Sequence, residues 1–415
     1  MSKIVKIPWA AWCEPNSLDL RFPGSWDVVT CRMNGAQDLE LSDDDIKYSI
    51  LNPIGTSKLL DLAREKKNAV IVIDDMTRTT QISRILPYVL EEIEEGGIRK
   101  AKITIIAAIG AHRPMNRQDF TLKLGKGIID TMRIENHHPY ENLTYIGESS
   151  KGTPIDVNSI YLKADLKISI GGVIPHGLAG FGGGAKMILP GVCGIRTLEA
   201  NHSAGMRGIG AGIGRMTDIR RDIEEAVEKI GLDFSINAIL NEEGKIAKLF
   251  SGHFKDAHRR AMEFGKQFYS TKVTLDNQIC FFNSFPEDSE LSQAQYKAFN
   301  FLMTAPNKIL DRYGAIIIMT SSYEGRGYHS LLAETGSKLY KNLRDSVVWK
   351  SFIKKRRVYL FSPNVNEFDK NHFFPESVKL FNEWNNLIEE LERKYGNSPK
   401  VAVFPCSTQI AEKSF

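Results

Sequence analysis

Seven short apolar runs, most of them closed by polar or glycine-rich segments, are the feature that most restricts how this chain folds. They are Asn68–Ile73, Lys102–Ala107, Leu166–Ile170, Gln278–Phe282, Ala315–Met319, Val358–Phe361 and Val401–Phe404. Runs of this length read as strands buried on both faces, which is the signature of parallel sheets covered by helices. The intervening segments carry helical spacing. Apolar residues fall at 82, 85, 86, 89, 90 and 93 before Gly96-Gly97, with Pro87 early enough to be tolerated or to kink the helix. Further helices are expected near 56–66, 218–230 and 255–267, and Leu380, Phe381, Trp384, Leu387, Ile388, Leu391 and Tyr395 line one face of another that ends at Gly396. The pattern predicts an α/β protein of two α/β domains with mostly parallel sheets. Residues 1–267 form the N-terminal domain that carries the site, 277–400 the C-terminal domain, and 401–415 a terminal segment that can return to the first domain. Ligands of open α/β sheets bind beyond strand carboxyl ends, so the site is expected there, facing the interdomain cleft.

Composition narrows the function classes. With 54 basic and 50 acidic residues the net charge is only +4, and no basic block suggests a nucleic-acid footprint. The densest run, Lys354 to Arg357, abuts an apolar strand and is read as its solvated entry. Five scattered cysteines (Cys13, Cys31, Cys193, Cys280, Cys406) without a C-x-x-C pair argue against a disulfide framework and a cysteine zinc site. The N-terminus has no continuous apolar h-region and no run is long enough to span a bilayer, so a cytoplasmic location is expected.

The chemistry-bearing residues follow the strands. After the first comes Asp74-Asp75-Met76-Thr77-Arg78; after the second, Gly110-Ala111-His112-Arg113; after the third, Gly171 to His176 running into Gly177–Lys186 with Gly182, Gly183 and Gly184. One rim thus collects carboxylates, arginines, two histidines and a glycine-rich loop. The loop lacks the Walker pattern, because Ala185 precedes Lys186 and Met187 follows it. The run Gly208–Gly214 misses the dinucleotide spacing and reads as a loop. Lys186, between glycines and Met187-Ile188-Leu189, is expected to be partly desolvated, which favours the nucleophilic free amine; a snorkelling loop lysine is the bland alternative. His202 has no second His or Cys at zinc spacing, so spacing alone supports no ordinary metal site.

The strings DDMTR, GAHRPM, ADLKISIGGVIPHGLAGFGGGAKMILPGV and EANHSAG, together with HHPYENLTYIG, GTPIDVN, GLDFSINAIL and SGHFKDAH, resemble the lactate racemases that carry a nickel-pincer nucleotide. The likeness covers most of the chain and weakens towards the C-terminal part, around Gln293–Ala298 and Trp349. It implies a pyridinium-3-thioamide-5-thiocarboxylic acid mononucleotide holding nickel, covalently attached at Lys186, with His202 as the protein's nickel ligand. It further implies catalytic roles for His112 and His176, contacts to cofactor or substrate carboxylate from Asp75, Thr77 and Arg78, a cofactor cradle at Gly182, Gly183 and Gly184, a substrate-side Lys297 and a cofactor-side Trp349.

The implied reaction is racemisation or epimerisation of a 2-hydroxy acid by reversible hydride transfer. One histidine takes the hydroxyl proton as the α-hydrogen leaves as hydride, and the other serves the opposite enantiomer. Arg78 offers the planar fork that suits a carboxylate. The implied partners are a small 2-hydroxy acid and the enzymes that build and load the cofactor, with no nucleic acid and no membrane. The chain departs from the family pattern at Thr79, at Gly183, at Arg215-Met216-Thr217, and at Ala294, flanked by Gln293 and Gln295. These departures lie on the substrate side and widen the expected substrate beyond lactate. Two other readings stay open on residues alone: a one-way 2-hydroxy-acid oxidoreductase using the same site, and a non-catalytic nucleotide- or nickel-binding protein of the cofactor pathway.

Overall fold

In the computed structural model, which describes residues 2–205, 213–330 and 355–412, the apolar runs become strands of two six-stranded sheets. The chain opens with a hairpin, β1 (Lys3–Pro8) and β2 (Ser17–Phe22), then β3 (Asp27–Thr30). Next come β4 (Ala69–Asp74), β5 (Ile103–Ala108), β6 (Arg133–Asn136), a small hairpin of β7 (Leu143–Glu148) and β8 (Pro154–Asn158), and β9 (Leu166–Gly172). Two short strands, β10 (Pro175–His176) and β11 (Gly180–Phe181), precede β12 (Phe234–Leu240) and β13 (Ile246–Gly252). The rest are β14 (Ser270–Thr271), β15 (Asn277–Asn283), β16 (Leu310–Met319), β17 (Arg357–Phe361), β18 (Lys379–Phe381), β19 (Lys400–Phe404) and β20 (Ile410–Ala411).

Residues Gln37–Gln267 form one unit, whose sheet runs β13-β12-β9-β4-β5-β6. All its pairs are parallel except β12 with β13. The six residues of β4 are all buried, as expected of a central parallel strand. The helix Ile82–Glu95 buries Ile82, Ile85, Leu86, Val89, Leu90 and Ile93, as the spacing predicts, and keeps Pro87 inside it. The expected helices near 218–230 and 255–267 are Asp218–Ile230 and Asp256–Phe268, but that near 56–66 shrinks to Leu59–Ala63.

The second unit joins Met1–Ala36 to Phe268–Phe415, around a wholly parallel sheet in the order β18-β17-β16-β15-β19-β3. The expected boundaries are corrected here in two places. The first 36 residues do not belong with the site-bearing unit. Strand β3 lies parallel to β19, from Asp27 against Lys400 to Thr30 against Val403. The β1–β2 hairpin seats Ile7, Leu20 and Phe22, with Trp26, against Phe281, Leu391 and Val401. Each such burial is worth about 1.5–3 kcal/mol, which helps anchor a strand of only four residues. The expected terminal segment 401–415 is also corrected: over its described residues, 401–412, it stays with the second unit, because β19 lies between β15 and β3 and β20 pairs with β14. Leu380 and Phe381, expected on the last helix, belong to β18. Asn382 ends that strand by donating to Ser362 O (2.7 Å) and Val365 O (2.8 Å), and the helix begins at Trp384.

Strand order locates the site in the Gln37–Gln267 unit. From β4 the sheet grows one way to β5 and β6 and the other way to β9 and β12. The reversal lies between β4 and β9, whose carboxyl ends flank the crevice where doubly wound sheets take ligands. No helix among the described residues is long and apolar enough to cross a membrane.

Candidate active site

At the end of β4 a buried lysine ties down the backbone. Lys123 is fully buried; its ammonium lies 2.7 Å from Asp74 Oδ1 and donates to Asp75 O (2.9 Å) and Arg78 O (2.6 Å). Burial pushes its pKa down and Asp74 acts the other way. Asp74 Oδ2 accepts from Thr80 Oγ1 (2.6 Å) and from Gly172 N (2.8 Å), which joins the ends of β4 and β9. The turn that carries Asp75, Thr77 and Arg78 is therefore held from beneath.

Asp75 does not reach outward. Its Oδ1 accepts from Thr77 N (3.0 Å) and Thr77 Oγ1 (2.5 Å), and its Oδ2 lies 2.6 Å from His112 Nδ1. Burial alone would raise its pKa, but His112, Thr77 and Arg78 outweigh it and hold the carboxyl well below the usual carboxylate range. An ionised carboxylate only accepts, so the proton of a neutral His112 lies on Nδ1 and Nε2 is the proton-accepting nitrogen. His112 follows β5 in a turn closed by its own N–H on Ile109 O (2.8 Å). Arg78 spends one guanidinium nitrogen on Thr77 O (3.0 Å) and Thr77 Oγ1 (3.1 Å).

His176, at the end of β10, has the opposite arrangement. Its Nδ1 accepts from Leu178 N and Ala179 N, each at 3.2 Å. The proton of a neutral His176 therefore lies on Nε2, which is 2.8 Å from Lys186 Nζ. The two nitrogens are within hydrogen-bond distance, and the amine is nucleophilic in its uncharged form. Lys186 itself is carried by a 3-10 turn, Gly184–Met187, with its N–H on Gly183 O (3.2 Å). His202, on the helix Ile195–Gly205, donates Nδ1–H to Leu198 O (2.9 Å), which leaves Nε2 as a lone-pair nitrogen. Burial, then Lys186 and His112, push its pKa down to about 4, so the ring is neutral, as a metal ligand must be.

The expected residues Asp75, Thr77, Arg78, His112, His176, Gly182, Gly183, Gly184, Lys186 and His202 all fall in this one unit. Lys297 belongs to the other, where it forms an ion pair with Glu287; the two side chains are 13% and 4% exposed. Trp349 and most of the run Gly208–Gly214 lie outside the described residues. Further residues also shape the site: Lys123 and Arg220, which no motif marked, and Asn237 and His258, which lie in the strings GLDFSINAIL and SGHFKDAH but were given no role there; Asn237 Oδ1 accepts from Gly184 N (3.0 Å). The only sequence signal for these roles was a charged or polar residue on a helix or strand face that is otherwise apolar.

Among the described residues no three His, Cys, Asp or Glu side chains come together to hold a metal. A metal here would have one neutral imidazole from the protein and would need its other ligands from a bound molecule. The lysine amine beside that imidazole fits a tethered group that brings those ligands.

The chain is similar to known proteins over most of its length. The family described as the lactate racemase N-terminal domain matches residues 14–214. A lactate racemase of Thermoanaerobacterium thermosaccharolyticum is 32% identical over 300 residues, 71% of this chain and 69% of the relative. That of Lactiplantibacillus plantarum is 32% identical over 306 residues, 72% of this chain and 69% of the relative. The solved lactate racemase apoprotein of T. thermosaccharolyticum superposes with a TM-score of 0.76 at 24% identity, covering 99% of this chain and 100% of that one. A Thermotoga maritima protein gives 0.67 at 18% identity, over 90% and 99% of the two chains.

Proposed function

This chain belongs to the lactate racemase family, and we propose that it interconverts the enantiomers of lactate or of a closely related 2-hydroxy acid in the cytoplasm. The observation that carries the proposal is the opposed setting of two histidines, one with its proton on the inner nitrogen and one with it on the outer, in the unit that also holds Lys186 and His202. A racemase needs a group that removes a proton and another that delivers one, and the two roles exchange when the reaction reverses.

His112 accepts the hydroxyl proton at Nε2 while Asp75 holds the ring in the tautomer this requires. His176 is placed on the side of the opposite enantiomer. Arg78 binds the substrate carboxylate through its planar fork, braced by Thr77. Lys186 would carry the nickel-pincer nucleotide, His202 would ligate its nickel, and Gly182, Gly183 and Gly184 would leave room for it beside their backbone. When bound, the group supplies a reversible hydride acceptor, so that the α-hydrogen need not leave as a proton beside a carboxylate.

The test uses protein made beside the cofactor-building enzymes. Peptide mass spectrometry should find a nucleotide on Lys186, and nickel should be close to stoichiometric. L-Lactate should yield D-lactate, and the reverse, with an α-deuterium label retained in the product. Absence of interconversion with any 2-hydroxy acid, or washout of the label at the turnover rate, contradicts the proposal.

A further inference from the structure

Arg220 is fully buried, yet it sits in the first turn of the helix Asp218–Ile230, the end at which the helix dipole disfavours a cation. Among the described residues no carboxylate lies within salt-bridge distance of it. Taking a guanidinium out of water without such a partner costs several kcal/mol, so something specific must hold it. What holds it is the glycine-rich loop. Nε donates to Ala179 O (3.3 Å), one terminal nitrogen to Gly183 O (3.3 Å) and the other to Phe181 O. Burial pushes its pKa down to about 10 and Glu224 acts against that, so it stays charged at neutral pH.

The two outer contacts lead to the two reactive side chains by single residues. Ala179, whose carbonyl Arg220 holds, gives its N–H to His176 Nδ1 (3.2 Å). Gly183, whose carbonyl Arg220 also holds, accepts the N–H of Lys186 (3.2 Å). The carbonyl between them, Gly182 O, accepts from His258 Nε2 (2.8 Å), and Gly180 O accepts from Gly214 N (3.1 Å). Every carbonyl from Ala179 to Gly183 is therefore bound. The fit is tight: a Cβ on Gly184, at φ +57°, would come within 2.7 Å of the His258 ring.

We propose that Arg220, seconded by His258, is a positioning residue: it clamps the Ala179–Gly183 loop and so sets the tautomer of His176 and the direction of Lys186. The proposal rests on the reading of Lys186 as the attachment site, and its test separates the two. Arg220→Met and Arg220→Lys are compared with wild type as unloaded protein, by hydrogen exchange of the 177–190 peptides and by reductive methylation of Lys186 relative to Lys167. In Arg220→Met, loop exchange should rise roughly tenfold or more with β4, β9 and β12 still protected. The Lys186-to-Lys167 methylation ratio should change, and Arg220→Lys, which can hold one or two of the carbonyls, should restore part of both. In loaded enzyme kcat should fall more than KM rises.

Wild-type loop exchange and methylation ratio in a folded Arg220→Met overturn the proposal. If Arg220→Met does not fold, Arg220→Lys decides: selective loosening of the loop supports the clamp, and uniform loosening of loop and sheet overturns it. Loop loosening in Arg220→Met, with no nucleotide ever found on wild-type Lys186, supports the clamp while removing the attachment reading.

Discussion

The two sheets of this protein are built alike and used differently. Each has six strands, and in each the strand order reverses beside a central strand, between β4 and β9 in one and between β15 and β19 in the other. At the second reversal the polar groups are turned on their own backbone. Asn283 donates to Pro8 O (2.6 Å) and Pro405 O (2.7 Å), and Asp288 accepts from Ala10 N (2.9 Å) and Ala11 N (3.2 Å). At the first, backbone contacts are made by residues behind the site, Lys123 and Arg220, and the histidines are left with fixed protonation. The difference teaches that topology supplies a crevice, and that the residues placed one layer beneath it decide whether the crevice does chemistry.

Five substitutions probe that contrast, in decreasing order of expected effect. Lys186→Ala should reduce racemisation to background and remove the nucleotide mass from its peptide, with thermal unfolding little changed. His112→Asn and His176→Asn should each lower kcat by about 10²–10⁴. With cofactor loaded, rapid-mixing absorbance should show the two variants responding to opposite enantiomers; the same response to both would remove the division of roles.

Asp75→Asn should lower kcat by roughly 10²–10³ through loss of the fixed His112 tautomer, with KM almost unchanged. It also carries a pH signature. The folded-state pKa of Asp75 is depressed, so its contribution to stability is present above about pH 4 and is lost as pH falls towards the folded value. Acid unfolding of wild type should therefore fall off more steeply below about pH 4 than that of Asp75→Asn. Equal acid profiles would argue against the buried pair.

In the other unit, Lys297→Met leaves Glu287 buried without its cation and should cost about 3–5 kcal/mol of stability, read by denaturant unfolding. Nucleotide attachment at Lys186 should be unchanged. Loss of attachment in this variant would show that Lys297 also serves the site in the first unit.

The sequence revealed four of the six strands of the second sheet, β15, β16, β17 and β19, and three of the first, but only in the first did it mark the site. Apolar runs announced β4, β5 and β9, and the polar residues after them included Asp75, His112, His176 and Lys186. The family strings added the role of His202, which spacing could not supply. Strand β3 stayed hidden because four residues, Asp27–Thr30, acquire strand character only against β19 from the far end of the chain. Leu380 and Phe381 fit a helical face by spacing, but pairing with β17 and the Asn382 side chain take them into a strand. The roles of Arg220, His258 and Lys123 were illegible for another reason, although His258 lies in a quoted family string. Each acts on backbone carbonyls distant in sequence, and such a partner leaves no residue-type pattern to read.

The account stands most directly on the opposed tautomers of His112 and His176. Long-range ¹H–¹⁵N correlation spectra of the unloaded protein near pH 8, assigned through His112→Asn and His176→Asn, would show both rings. The account predicts a protonated Nδ1 in His112 and a protonated Nε2 in His176, with Asp75→Asn altering only the former and Arg220→Lys shifting only the latter. Two rings in the same tautomer, or a pair that ignores both substitutions, would contradict it.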